Sequence, residues 1–292
     1  MSEPFTLYQP TEFIPLVFDS PHSGQNYPDD FNYCCDRGAL EKAEDKYVDD
    51  LFSNAPDLGV PLLCANFPRS FLDVNRAVDD IDEELLSEPW PAHFDITPAP
   101  SNRSYAGIGL IRRLVQPGVP VYDHALTPEE IYQRIETYYR PYHDTLSKLI
   151  NHAHYHYGQV WHINCHSMPS ASTRQGALGR VNPFNSPDFV LGDRDGTSCA
   201  LDFTHSVRDF LTSLGYKVAI NDPYKGVELV KRYSAPSTGR HSLQIEICRS
   251  LYLNEDSYEK SRNYDKLKQD ITKLIEFCAD YANANLIPIA AD

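Results

Sequence analysis

The sequence is poor in positive charge. Its 26 lysine and arginine residues stand against 41 aspartate and glutamate residues, which gives a formal net charge of −15 at pH 7. Nucleic acids and anionic membranes are bound by basic surfaces, so this balance argues against both as partners. A small anionic ligand remains compatible with it, provided that arginines converge locally.

Long apolar runs are absent as well. No segment approaches the roughly 18 apolar residues of a membrane-spanning helix, and the first residues, MSEPFTLYQP, lack the basic and apolar stretches of a secretory signal. The seven cysteines form no CxxC pair and are expected to be reduced thiols rather than a disulfide framework. We therefore expect a cytoplasmic protein. Nothing in the sequence indicates its oligomeric state.

Strand-like and helix-like segments alternate along the chain. Hydrophobic periodicity predicts strands at 16–18, 59–67, 107–115, 160–166, 188–193, 217–220 and 241–248, and helices at 37–52, 126–150, 198–216 and about 257–282. A capping box formed by Thr127, Pro128 and Glu130 begins the second helix, and Pro141 should kink or split it. Without repeats or linkers, residues 1–292 are predicted to form a single domain, an α/β fold with a mixed central sheet flanked by helices.

Two histidines follow predicted strands. His22 comes just after strand 16–18, and His166 ends strand 160–166. Sites in open α/β sheets form beyond the carboxyl ends of strands. Between them in sequence lie Asp45 and Asp49, at i and i+4 of the predicted helix 37–52, so both should project from one helical face. Two imidazoles and one carboxylate form a common catalytic zinc site, so we expect one Zn²⁺ per chain.

Other interpretations of these residues stay open. An acidic segment such as EKAEDKYVDD is by itself more often a solvated surface than a ligand source. The alternating His152, His154 and His156 look more metal-like than His22 does, but they lie at a polar helix end, where imidazoles interact with the helix dipole. His162 lies inside a strand and is expected to be a packed core histidine.

A metal-activated water needs a proton acceptor, and Glu246 is the candidate. It lies inside the strand HSLQIEIC, where a carboxylate is costly to bury unless something uses or pairs it. The alternative is that Glu246 only neutralises Arg249.

An anionic substrate can be bound by arginine, whose planar guanidinium group matches the geometry of a carboxylate. Five arginines beside turn residues, together with one asparagine, are candidate substrate contacts: Arg69, Asn75, Arg76, Arg180, Arg194 and Arg232.

Together these segments resemble the N-formylglutamate amidohydrolase family of zinc-dependent deformylases. The matching stretches, in order from about residue 15 to 255, are PHSG, EDKYVDDL, RSFLDVNR, CHSMPS, PDFVLGDRDGTSC, NDPYKG and RHSLQIEICRSLYL. The resemblance implies a phosphorylase/hydrolase-like fold related to zinc carboxypeptidases. It also implies that Asn75 and Arg76 clamp a substrate carboxylate, that Arg69 polarises the scissile carbonyl, and that Glu246 is the base.

The sequence departs from this pattern in two places. The carboxypeptidase-type HxxE pair is missing, because Gln25 stands three residues after His22. The carboxylate ligand must then come from EDKYVDD, where we favour Asp45 over Asp49. Arg232 also stands where many relatives have a histidine, which bears on substrate preference.

The resemblance implies hydrolysis of N-formyl-L-glutamate to L-glutamate and formate in histidine degradation, with a small anionic amino acid as the substrate. The alternatives are a hydrolase of another N-acyl amino acid or of γ-glutamyl material, and a non-catalytic metal- or amino-acid-binding protein on the same fold. An open metal position and Glu246 favour the enzyme, since a binding protein needs neither.

Overall fold

The computed structural model describes residues 3–171 and 186–286. The chain divides into two compact units. The first unit comprises Met1–Thr6, Pro21–Glu44 and Cys64–Leu146, and the second comprises Leu7–Ser20, Asp45–Leu63 and Ser147–Asp292.

The described elements alternate as the sequence predicts. The strands are β1 Phe5–Tyr8, β2 Leu16–Ser20, β3 Leu62–Ala65, β4 Leu114–Gln116, β5 Val119–Pro120, β6 Val160–Met168, β7 Phe189–Gly192, β8 Val218–Ile220 and β9 Arg240–Cys248. The α-helices are α1 Arg37–Glu41, α2 Val48–Leu51, α3 Asn102–Tyr105, α4 Pro128–Arg134, α5 Arg140–Tyr157, α6 Leu201–Ser213, α7 Glu228–Arg232 and α8 Tyr264–Ala284. Short 3-10 turns lie at Asp29–Phe31, Pro56–Leu58, Glu83–Leu85, Pro236–Thr238 and Arg249–Leu251.

A seven-stranded sheet has the order β1-β3-β2-β6-β9-β7-β8. The pairs β2–β6, β6–β9 and β7–β8 are parallel, whereas β7 pairs with β9 antiparallel. The prediction of a central mixed sheet flanked by helices is therefore confirmed. The relation to zinc carboxypeptidases and the single domain stay predictions. The predicted strand 107–115 is mostly wrong, because only β4 forms there, and it pairs with β5 in a separate two-stranded ribbon.

One face of the sheet is polar where β6 and β9 meet. Residues two apart in a strand point to the same face, and the two strands are in register over their whole length. This polar face consists of three register pairs: His162–Ser242, Asn164–Gln244 and His166–Glu246. The alternating residues, such as Ile163 and Ile245, are fully buried on the other side.

In the second unit, α8 is an amphipathic helix whose apolar face is buried. Leu267, Ile271, Leu274, Ile275 and Cys278 recur at helical spacing and are at most 2% exposed. The helix begins at Tyr264, seven residues later than its predicted start. No helix of the described ranges is long and apolar enough to cross a membrane.

In the first unit, the helix predicted at 126–150 begins as expected and is interrupted. Thr127 accepts from the backbone N–H of Glu130 and completes the capping box. A π-helical turn, Ile135–Tyr139, separates α4 from α5 just before Pro141. Proline lacks the N–H that would continue the regular ladder, so the predicted disruption is confirmed.

The prediction of one continuous helix over residues 37–52 is wrong. Its two ends form α1 and α2, but Tyr47 has φ 65°, a left-handed backbone that a continuous α-helix does not accommodate. Asp45 lies in the break and Asp49 lies in α2. The i, i+4 argument for these two carboxylates therefore fails.

Candidate active site

Asp73 is the centre of a buried polar cluster in the first unit. Its Oδ1 lies 2.7 Å from His22 Nε2 and accepts a hydrogen bond of 2.9 Å from the backbone N–H of Asn75. Its Oδ2 accepts a hydrogen bond of 2.7 Å from Arg69 Nη2 and lies 3.8 Å from Arg76 Nη2. Four residues that the sequence singled out therefore gather around a carboxylate that it did not.

The cluster carries more positive than negative charge. Burial works to raise the pKa of Asp73, but Arg69, His22 and Arg76 hold it well below its usual range, so the carboxyl is ionised. Burial lowers the pKa of Arg76 to about 10, and that of Arg112 likewise to about 10, which leaves both guanidinium groups charged at neutral pH. Arg69, Arg76 and Arg112 repel one another around Asp73, with Asp80 as a further negative charge near Arg76, and the surplus of positive charge favours the binding of a further anion.

Arg112 belongs to the same cluster, although its sequence position does not suggest a site. The carbonyl of Leu110 accepts a hydrogen bond of 2.9 Å from the Asp73 amide, and the carbonyl of Ile108 accepts one of 3.3 Å from Arg76 Nε. The segment 108–112 is thereby fixed beside the DVNR turn. The adjacent arginines of IRRLV were the only sequence feature that could have pointed to it.

The glycine of the PHSG motif, Gly24, lies close to another segment of backbone. A Cβ at this position would lie 2.4 Å from both the carbonyl carbon of Asn66 and the carbonyl oxygen of Phe67. Any side chain would therefore clash with the backbone of residues 65–67. The glycine lets the loop that carries His22 pass close to residues 65–67.

Asp45 is the corresponding centre in the second unit. Its Oδ2 lies 3.0 Å from His166 Nδ1, and its Oδ1 accepts hydrogen bonds from Ser167 Oγ at 3.1 Å and Arg249 Nη2 at 3.0 Å. Burial opposes the charge of Arg249, but Asp45 raises its pKa. Arg249 therefore secures Asp45, a role that the sequence did not predict for it.

Glu246 lies beside His166 on the polar face, as its register partner. It is 7% exposed, and its Oε1 accepts a hydrogen bond of 2.9 Å from Gln244 Nε2. His166 itself lies within β6 rather than at its end, because the strand continues to Met168. The prediction of a strand exit at His166 is thus off by two residues.

The remaining predicted residues have different surroundings. Asp49 is half-buried, and desolvation raises its pKa. Arg194 Nη1 donates to the carbonyl of Gly226 at 3.1 Å. The Arg232 side chain is 44% exposed and lies 3.8 Å from Glu228. Arg180 lies outside the described residues.

The hydrogen bonds indicate which histidine nitrogens could bind a metal ion. A carboxylate or amide oxygen only accepts, so His22 Nε2 carries a proton toward Asp73, and His166 Nε2 carries one toward Asn164 Oδ1, 2.7 Å away. In each ring, Nδ1 is then the nitrogen that could offer a lone pair to a metal ion. Metal-binding histidines have this arrangement, with the other N–H donated to an oxygen. Within the second unit, Asp45 Oδ2 and His166 Nδ1 are two potential ligand atoms for a metal ion.

The comparison with known proteins decides the family. The family model described as N-formylglutamate amidohydrolase matches residues 14–253, which is most of the chain. This chain belongs to the N-formylglutamate amidohydrolase family. The family resemblance drawn from the sequence motifs is thereby confirmed.

Individual members of the N-formylglutamate amidohydrolase family agree with this assignment. The N-formylglutamate deformylases of Pseudomonas putida and Pseudomonas aeruginosa are both 26% identical to the chain, over 83% and 84% of either sequence. A crystal structure of N-formylglutamate amidohydrolase from Ralstonia eutropha JMP134 is 43% identical, covers 98% of this chain and 100% of its own, and superposes with a TM-score of 0.92. A structure from Agrobacterium tumefaciens, at 16% identity and TM-score 0.67, shares the fold.

Proposed function

We propose that this protein hydrolyses N-formyl-L-glutamate to L-glutamate and formate. The family membership supports the reaction class, and the names of the Pseudomonas relatives support the substrate. The observation that carries the proposal is the cluster of Arg69, Arg76 and Arg112 around the carboxylate of Asp73. Such a surplus of buried positive charge suits an anionic amino acid in a protein whose net charge is −15.

We infer that His22, Asp45 and His166 hold one divalent ion, zinc by the chemistry of the donor set. Two imidazoles and a carboxylate leave a fourth position for water, as catalytic zinc sites do. The fit is supported by His166 Nδ1 and Asp45 Oδ2, two potential ligand atoms that lie 3.0 Å apart. When bound, the ion supplies a Lewis acid that lowers the pKa of a water molecule to about 7.

The chain's own residues then perform the remaining steps. Asn75 and Arg76 bind a substrate carboxylate, and Arg69 polarises the formyl carbonyl. Glu246 accepts the proton of the attacking water and passes it to the leaving nitrogen, so that the C–N bond breaks with formate and free glutamate as products. Burial keeps this carboxylate in a medium of low dielectric constant, beside the amide of Gln244.

Among the polar partners of Arg69 and Arg76, Asp73 is the one that orients the site. By holding Arg69 at 2.7 Å and His22 at 2.7 Å through its two oxygens, it couples the anion-binding side chain to the histidine. The substrate is thereby bound by groups whose rotamers are fixed beforehand, which is how enzymes convert binding energy into orientation. We further infer a role in histidine degradation from the family resemblance.

The test is formate release from N-formyl-L-glutamate by protein of measured metal content. N-formyl-L-glutamine, which lacks the side-chain carboxylate, and N-acetyl-L-glutamate, which has a different acyl group, are the matched alternatives. We expect N-formyl-L-glutamate to have the highest kcat/KM. A higher value for the acetyl compound would indicate another N-acyl amino acid hydrolase, and metal binding without turnover of any compound would indicate a binding protein.

A further inference from the structure

A chain of hydrogen bonds joins His166 to four buried side chains beneath it. Ser242 Oγ lies 2.7 Å from His162 Nδ1, and His162 Nε2 lies 2.8 Å from Asp19 Oδ1. Asn164 Nδ2 donates to the same Asp19 oxygen at 2.8 Å, and Asn164 Oδ1 lies 2.7 Å from His166 Nε2. All five residues belong to the second unit and are at most 3% exposed.

This array contains an Asp–His–Ser series, but it is not a hydrolytic triad. Asp19 and Ser242 are 0% exposed and His162 is 1% exposed, so no substrate can reach the hydroxyl. A serine nucleophile must be accessible to the carbonyl that it attacks. The array therefore has another role, at the end where Asn164 contacts His166.

The array fixes the proton on His166. A carboxylate oxygen accepts, so the NH₂ group of Asn164 must face Asp19 and its carbonyl oxygen must face His166. An amide oxygen also only accepts, so His166 Nε2 must carry the hydrogen of that contact. Nδ1, which lies 3.0 Å from Asp45 Oδ2, is then the nitrogen that is left to bind a metal ion.

We propose that Asn164 is a positioning residue, held by Asp19, that fixes the tautomer and ring orientation in which His166 binds the metal ion. The proposal rests on the metal site of the proposed function. Without the acceptor at Nε2, a neutral ring keeps its proton on Nδ1, where it is hydrogen-bonded to Asp45. That hydrogen bond competes with the ion for the same two atoms. Loss of such an orienting partner typically weakens metal binding about 10- to 100-fold.

The first measurement is the zinc dissociation constant, determined by competition with a chelator. Asn164→Leu keeps the size of the side chain and removes both of its hydrogen bonds, and we expect the dissociation constant to rise about 10- to 100-fold. Ser242→Ala is the matched control. It damages the same buried array at the far end from His166, so we expect a lower melting temperature with unchanged zinc affinity. Equal effects of the two variants on zinc affinity would overturn the proposal.

The second measurement needs no metal. Nitrogen NMR of the metal-free, ¹⁵N-histidine-labelled protein reports which ring nitrogen of His166 is protonated, with His166→Gln identifying the signal. We expect a protonated Nε2 in the wild type, the same in Asn164→Asp, which keeps an acceptor oxygen, and an unprotonated Nε2 in Asn164→Leu. An unprotonated Nε2 in the wild type, or no change in Asn164→Leu, would refute the proposal. A protein with the expected NMR signal that binds no zinc would instead refute the proposed metal site.

Discussion

His166 and Glu246 are register partners on the neighbouring parallel strands β6 and β9. Their side chains therefore point to the same face of the sheet, from strands that lie only about 4.8 Å apart. A proposed metal ligand and a proposed base thus stand side by side on neighbouring strands of the second unit. Arg249, which the sequence offered as a partner of Glu246, donates to Asp45 at 3.0 Å.

Glu246→Gln should keep the shape of the site and remove its proton acceptor. We expect kcat to fall about 10²- to 10⁴-fold, which is the usual cost of losing a general base. Zinc content and melting temperature should stay near the wild-type values, measured on the same preparation. Glu228→Gln, on α7 beside Arg232, is the control and should leave kcat unchanged. A zinc-loaded Glu246→Gln enzyme with near-normal turnover would exclude Glu246 as the base.

His22→Ala and His166→Ala should each lose the bound metal ion. Each substitution removes one of three protein ligands, and a site with two remaining ligands binds zinc weakly. Elemental analysis after dialysis measures the loss. His154→Ala is the matched control, because this histidine contacts the carbonyl of Thr238 at the end of α5 and should leave the metal content unchanged. Full metal retention in either of the first two variants would remove that histidine from the site.

Arg76→Lys should weaken substrate recognition and spare the metal ion. Lysine keeps the charge but loses the planar fork that binds a carboxylate through two hydrogen bonds. We expect kcat/KM to fall by the equivalent of about 2 to 4 kcal/mol, mostly through a higher KM. Arg37→Lys, on an exposed side chain paired with Glu41, is the control. Wild-type kinetics in Arg76→Lys would mean that Arg76 serves only the structure.

The lowered pKa of Asp73 predicts how stability depends on pH. A carboxyl whose pKa is depressed on folding contributes stability that is present above its unfolded pKa of about 3.9 and is lost as pH falls through the folded value. The metal-free wild type should therefore lose this contribution below about pH 4, whereas Asp73→Asn should lack it at every pH.

The measurement is denaturant unfolding of both metal-free proteins at a series of pH values. At pH 7 we expect Asp73→Asn to be less stable by about 3 to 5 kcal/mol, as when one partner of a buried ion pair is removed. The control Asp209→Asn changes an exposed carboxylate paired with Arg208 and should alter the free energy of unfolding by less than about 0.5 kcal/mol. Parallel pH profiles for the wild type and Asp73→Asn would contradict this role of Asp73.

Thr127→Ala should destabilise the start of α4. The hydroxyl accepts a hydrogen bond of 3.2 Å from the backbone N–H of Glu130. The carboxylate of Glu130 accepts one of 2.7 Å from the backbone N–H of Thr127. Loss of such a cap costs about 1 kcal/mol of the free energy of unfolding, which urea denaturation measures. Thr127→Ser keeps the hydroxyl and should restore most of it. Equal stability of the alanine variant and the wild type would contradict a capping role.

The sequence by itself determined the elements whose signals are local. The alternation of HSLQIEIC specifies β9 and its two faces, and the capping box specifies the start of α4, because both depend on residues within a few positions of each other. The sequence also indicated which residue types form the proposed site. A buried glutamate in a strand and arginines beside turns are costly unless something uses them, and family motifs named most of them in advance.

Only the tertiary structure decided which of these residues are in contact and which histidine nitrogens carry protons. The left-handed backbone of Tyr47 breaks the predicted helix and frees Asp45 to reach His166, a contact between residues 121 positions apart in the chain. Asp73 became the centre of its cluster because its partners come from separate segments. Asn164 looks like an ordinary strand residue until Asp19 fixes its amide. Propensity and periodicity act over one or two turns, whereas these contacts arise when packing brings distant segments together.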